Sequence, residues 1–150
     1  FLLTDQSTAR MLKPQIDFHR ASSVPVYSIN TIFSGKPNLV NDLDLEDIVF
    51  SDMPWLVRPG GRFDRTILPF ALNTPYRYSV TDRLFALGMD AYILNRLATC
   101  MHADPRQIYA GASGLLSVGW DGQGHRTSDW VKFTDGLPQA WEPPLSTEKG

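Results

Sequence analysis

Cysteine is almost missing from this sequence, and that scarcity removes two kinds of small domain at once. Cys100 is the only cysteine in 150 residues, so neither an internal disulfide framework nor a cysteine-rich zinc site can be built. The three histidines, His19, His102 and His125, share no short metal-ligand spacing, and no metal or cofactor is implied. An excess of one charge is also missing. Fourteen basic against sixteen acidic residues leave a net charge of -2, which gives no field for nucleic acid or an anionic membrane surface. No apolar run reaches the roughly 18 to 20 residues that span a bilayer, and no charged start leads into a signal-type hydrophobic stretch. An initiator methionine is absent too: the chain opens on Phe1-Leu-Leu-Thr-Asp5, which reads as a buried strand already under way. Such a strand needs neighbours, so the expected partners include the remainder of the same chain upstream of residue 1.

What is present suffices for a core. Apolar residues make up 43% and aromatics 11%, the composition of one globular domain. After the opening strand, Ala9, Leu12, Ile16 and His19 fall at helical spacing, predicting a helix over about 7–21, with Pro14 expected to kink or restart it. Val24-Pro-Val-Tyr-Ser-Ile29 reads as a second strand, which completes a βαβ unit with parallel strands. Ile48-Val-Phe50 reads as a third strand. From Arg58 to Tyr78 prolines and Gly60-Gly61 predict a long irregular connection. Ser79 to Asp82 resembles a capping box, and Leu84, Leu87, Ala91, Leu94, Ala98 and Met101 continue at spacings of three and four. Phe85, Met89, Tyr92 and Ile93 widen that face, so this helix should be buried on more than one side, ending at Asp104-Pro105. Short strands divided by turn signals follow from Leu115 to Trp141 and read as a β-meander.

The segment GASGLLSVGWDGQGHR, residues 111–126, holds five of the eleven glycines. A phosphate cradle needs its glycines between a strand and a helix start, and a P-loop needs a following Lys. Neither context exists here. The nucleophile-elbow pattern fails as well, because Leu115 stands where a glycine belongs and no helix follows Ser113. The glycines are expected to serve a strand, a turn and a strand, and no catalytic residue is assigned.

Asp42, Asp44, Glu46 and Asp47 lack the turn glycine and twelfth-position Glu of a calcium loop and read as a solvated acidic edge. Arg58, Arg62 and Arg65 form a basic patch on the predicted loop. Trp55, just past the third strand, stands where parallel sheets place ligands and offers an aromatic anchor. These four are the candidate partner-contact residues.

Five motifs in order, FLLTDQSTARMLKPQIDF, PVYSINTIFSG, DLEDIVFSDMPWLV, RLFALGMDAYIL and GASGLLSVGWDGQGHR followed by WVKFTDGLPQ, resemble the C-terminal part of the LppC/LpoA family. These are outer-membrane lipoproteins that activate penicillin-binding proteins. The resemblance implies an α/β fold, part of a two-lobed domain like type I periplasmic binding proteins, with a parallel sheet flanked by helices and a C-terminal β-meander. It implies that residues 1–52 belong to one lobe, 53–81 to a hinge crossover and irregular loop, and 82–150 to the second lobe. It further implies a non-catalytic activator of a class A penicillin-binding protein, periplasmic and anchored to the outer membrane through an N-terminal lipid not present in this chain, with peptidoglycan as a further partner. By the same analogy Ser28, Asn30, Thr31 and Ser34 are cleft candidates. A second reading stays open beside it: a periplasmic receptor binding an amino acid, sugar or peptidoglycan fragment between the lobes. Pocket geometry discriminates the two.

Overall fold

The computed structural model describes residues 1–21, 23–58 and 80–143. Helix α1, Gln6–Ile16, begins at Asp5, whose carboxylate accepts from the Thr8 backbone N–H at 2.9 Å and from its hydroxyl at 3.1 Å. Those bonds favour the charged form and hold the Asp5 pKa below its ordinary value. Pro14 does not restart the helix. The chain runs through it and opens into a π-helical turn, Asp17–Ala21, with the Asp17 N–H reaching the Lys13 and Pro14 carbonyls. The buried face is also shifted from the expected one: Ala9 and Lys13 are buried, while Leu12 is 37% exposed and His19 is exposed. Lys13 lays its stem against the core and carries its ammonium to Asp17 at 2.6 Å.

Four strands form one sheet in the order β1-β2-β6-β7: β1 Tyr27–Ser28, β2 Val49–Asp52, β6 Asp129–Thr134 and β7 Leu137–Ala140. β1 and β2 are parallel, and Leu2 adds a parallel bridge to Ser28, so the βαβ unit is present with its first strand reduced to that bridge. β6 pairs with β2 antiparallel, Phe50 opposite Val131, which makes the sheet mixed rather than parallel. In-register residues share a face, and Phe50, Val131 and Phe133 point with Ile32, Phe33, Leu45 and Ile48 into the main core. The Phe50 and Phe133 rings stack at 5.1 Å, with Phe33 6.1 Å from each.

A 3₁₀ turn, Asn41–Leu45, corrects the reading of the acidic edge. Asp42 is fully buried, not solvated. It accepts from Arg10 at 2.7 and 3.1 Å, from Gln6 at 2.9 Å and from the Asn38 N–H at 2.7 Å, and so ties α1 to the turn. Asp47 remains exposed and pairs with Lys132.

After β2 a short helix α2, Pro54–Val57, leads toward residues outside the described part, and α3, Val80–Ala103, follows. β3 Tyr109–Ala110, β4 Leu115–Val118 and β5 Gly124–Thr127 make a second, antiparallel sheet. The expected meander is therefore split between two sheets. β6 and β7 leave the second sheet and complete the first. The free backbone edge of β2 demands a partner, and the inward Val131 and Phe133 fill the phenylalanine cluster as they pair with it.

Candidate functional site

β1 and β2 end side by side, and the crevice beyond their C-terminal ends is where an open α/β sheet takes a ligand. After β1 the chain turns through a 3₁₀ segment, Asn30–Ile32. β2 ends on Asp52, whose side chain is fully buried. Arg83 enters from the first turn of α3. Its Nε donates to Asp52 Oδ1 at 3.0 Å and its Nη2 to Asp52 Oδ2 at 2.5 Å, to the Asn30 carbonyl at 3.0 Å and to the Phe33 carbonyl at 2.8 Å. The Met53 N–H gives Asp52 Oδ1 a further bond at 2.8 Å. A buried carboxylate needs this many donors, and a planar guanidinium supplies two of them in parallel.

The four cleft candidates lie around this point, though their polar groups serve the fold. Ser28 is buried and its hydroxyl donates to the Leu2 carbonyl at 2.6 Å. Thr31 is exposed and donates to the Thr4 carbonyl at 2.9 Å; the Ser34 hydroxyl bonds the Lys36 carbonyl at 3.3 Å. Asn30 contributes its carbonyl to Arg83. A cavity of about 230 Å³ opens elsewhere, among Lys13, Tyr27, Asp47, Val49, Lys132 and Trp141, and none of the four lines it.

Arg83 opens the motif RLFALGMDAYIL, which carries the family resemblance but assigns this arginine no site role. The available signal was its place in the first turn of α3, where the helix dipole disfavours a cation unless an anion compensates it.

A second buried carboxylate organises the glycine segment. Asp90 of α3 accepts from the Ala112 N–H at 2.8 Å, the Ser113 N–H at 2.7 Å and the Ser113 hydroxyl at 2.5 Å. Ser113 is fully buried. Its hydroxyl is spent on holding the loop against α3. The segment itself is a strand, a turn and a strand, β4 pairing β5 from Leu115↔Thr127 to Val118↔Gly124. Gly114, at φ +151°, lies where a Cβ would stand 2.3 Å from the Thr127 carbonyl oxygen, so only glycine lets the two backbones approach. Among the described residues no group of three or more His, Cys, Asp or Glu is placed to hold a metal ion.

Trp55 is half-buried. Its backbone N–H donates to the Ala112 carbonyl at 3.0 Å, and its ring lies 5.7 Å from that of Phe85, beside Met53, Ala86 and Ala112. Arg58 is exposed, with its Nε 2.7 Å from Asp129 Oδ2, close enough for an ion pair but not aligned as a hydrogen bond. Burial pushes the Asp129 carboxyl above its ordinary pKa, and Arg58 only partly opposes it. Arg62 and Arg65 lie outside the described residues. On α3, Leu84 (61% exposed), Leu87 (40%) and Tyr92 (66%) face outward, so the expected burial on more than one side is not met among the described residues.

A family model described as "LppC putative lipoprotein" matches residues 1–136. The chain belongs to the LppC family. Within it, the chain is 32% identical over 149 residues to the penicillin-binding protein activator LpoA of Photobacterium profundum, and 28% identical over 140 residues to that of Dickeya chrysanthemi. These alignments take in 95% and 91% of the chain but only 23% and 20% of the relatives, so the LppC-family segment described here spans about a fifth of their length. Its fold matches the LpoA C-domain from Haemophilus influenzae, titled a regulator of PBP1A, with a TM-score of 0.67 at 18% identity, covering 92% of this chain and 43% of that one. It also matches a structure from Chromobacterium violaceum titled "a putative branched-chain amino acid ABC transporter", with a TM-score of 0.55 at 25% identity, covering 86% and 40%. The architecture is thus α/β, shared with both of these structures.

Proposed function

We propose that the protein carrying this chain is a non-catalytic activator of a class A penicillin-binding protein, acting in the periplasm from an outer-membrane lipid anchor. The observation that carries this reading is the match of nearly the whole chain to proteins named penicillin-binding protein activators. The crevice adds support. A receptor presents convergent polar groups to a ligand, whereas here Asp52 and the carbonyls of Asn30 and Phe33 are already engaged by Arg83. Ser113, the serine of the glycine segment, is buried against Asp90, which suits a protein that regulates chemistry done elsewhere.

Activation without catalysis requires only that the activator bind the synthase's active conformation better than its inactive one. A tenfold shift in that equilibrium takes about 1.4 kcal/mol of differential affinity, within reach of a modest surface. Trp55, Arg58, Arg62 and Arg65 are the proposed contact residues, an aromatic beside several arginines being a common make-up of dominant contacts. The test is peptidoglycan synthesis by the purified cognate synthase with and without the full-length protein. A rate unchanged at saturating protein overturns the activator reading in favour of a small-molecule receptor.

A further inference from the structure

We propose that the crevice at the C-terminal ends of β1 and β2 is a guanidinium-binding site filled by the chain's own Arg83, an internal ligand standing where a sheet of this kind would hold a free one. The inference rests on the geometry of the crevice and is independent of the activator reading.

Three features make this a recognition site rather than a simple ion pair. First, the acceptors converge from separate segments: the Asp52 carboxylate at the end of β2, and the carbonyls of Asn30 and Phe33 flanking the 3₁₀ turn after β1. Second, they match a planar fork. Nε and Nη2 meet the two oxygens of Asp52 side on, while Nη2 also reaches the two carbonyls, an arrangement a single ammonium cannot reproduce. Third, the site is nearly dry: the Arg83 side chain is 12% exposed and that of Asp52 0%. Water therefore cannot replace the guanidinium cheaply, and an emptied site leaves the buried Asp52 carboxylate with the Met53 N–H on Oδ1 but not its guanidinium donors, the Asn30 carbonyl with only the Phe33 N–H, and the Phe33 carbonyl without its Arg83 bond.

The consequence is a crevice that is structurally complete without a small molecule. Arg83 also joins α3 to the end of β2 and to the turn after β1, so opening the crevice requires breaking all four bonds together. An amino acid or sugar entering here would have to displace a tethered group whose effective concentration is high.

The test is chemical rescue in the full-length protein. Arg83→Ala should raise amide exchange at residues 30–33 and 49–53 by about tenfold or more, because these segments lose a shared clamp. Millimolar methylguanidinium should restore protection and raise the melting temperature of that variant saturably, methylammonium should do neither, and the wild-type protein should respond to neither. Should Arg83→Ala fail to fold, Arg83→Lys keeps the charge and removes the fork; it should still exchange faster at 30–33. Wild-type protection in Arg83→Lys, an equal response to both cations, or an equal response of the wild-type protein to methylguanidinium overturns the proposal.

Discussion

Asp90 and Gly111 touch so closely that a Cβ on the glycine would stand 2.5 Å from the Asp90 Oδ2 atom. The same carboxylate accepts three bonds from Ala112 and Ser113, so it cannot swing aside without releasing the loop. Gly111→Ala is expected to destabilise the full-length protein by about 2–4 kcal/mol, combining overpacking with lost hydrogen bonds. Urea denaturation measures it; a midpoint within error of wild type would show that the loop can relax at no cost.

Asp42 predicts a second stability effect. Asp42→Ala removes the common acceptor of Gln6, Arg10 and the Asn38 N–H, and a loss of about 2–4 kcal/mol is expected. Asp42→Asn keeps part of the network and should cost less. If the two variants unfold at the same denaturant concentration, the charge and not the network carries the effect.

The pH dependence of Asp129 has a definite sign. Its folded pKa is raised above the ordinary 3.8, chiefly by burial, so the folded state holds the proton more tightly than the unfolded chain does. Stability from this group is therefore greatest below 3.8 and falls as pH rises through the folded value. Asp129→Asn, which carries no charge at either extreme, should be closest to or above wild type at neutral pH and lose that relative advantage as the solution is acidified toward pH 3. Thermal melts of the two proteins between pH 3 and 7 test this; a gap that widens on acidification reverses the assignment.

In the reconstituted synthesis assay, Trp55→Ala and Arg58→Ala are expected to lower stimulation of the synthase several-fold at subsaturating protein. Trp55 also packs on Phe85, so its variant needs a melting temperature beside the assay. Full stimulation by both variants at wild-type concentration dependence removes these residues from the contact surface and leaves the activator reading intact.

Local pattern carried much of the fold. The long helix, the βαβ unit and the strand, turn and strand of the glycine segment were legible because each rests on neighbours in sequence, through periodicity and turn glycines; Ser79 of the expected capping box lies outside the described residues. That the glycines of this segment lie between strands and not before a helix was legible for the same reason. Arg83 with Asp52 and Asp90 with Ser113 were not, since partners 31 and 23 residues apart leave no local trace.

The sequence by itself determined the family, the α/β class and the lack of a second cysteine for an internal disulfide, because all of these depend on composition or on short-range order. Only the tertiary structure decided that β6 and β7 complete the first sheet rather than the second. Backbone pairing is indifferent to sequence distance, and the inward Val131 and Phe133 are stabilised only against Phe50 and its neighbours. It also decided that the apparently solvated Asp42 is buried and that the crevice beyond β1 and β2 is filled by an arginine. A charged side chain can leave water only where enough donors or acceptors converge upon it, and such convergence exists only once distant segments have been brought together.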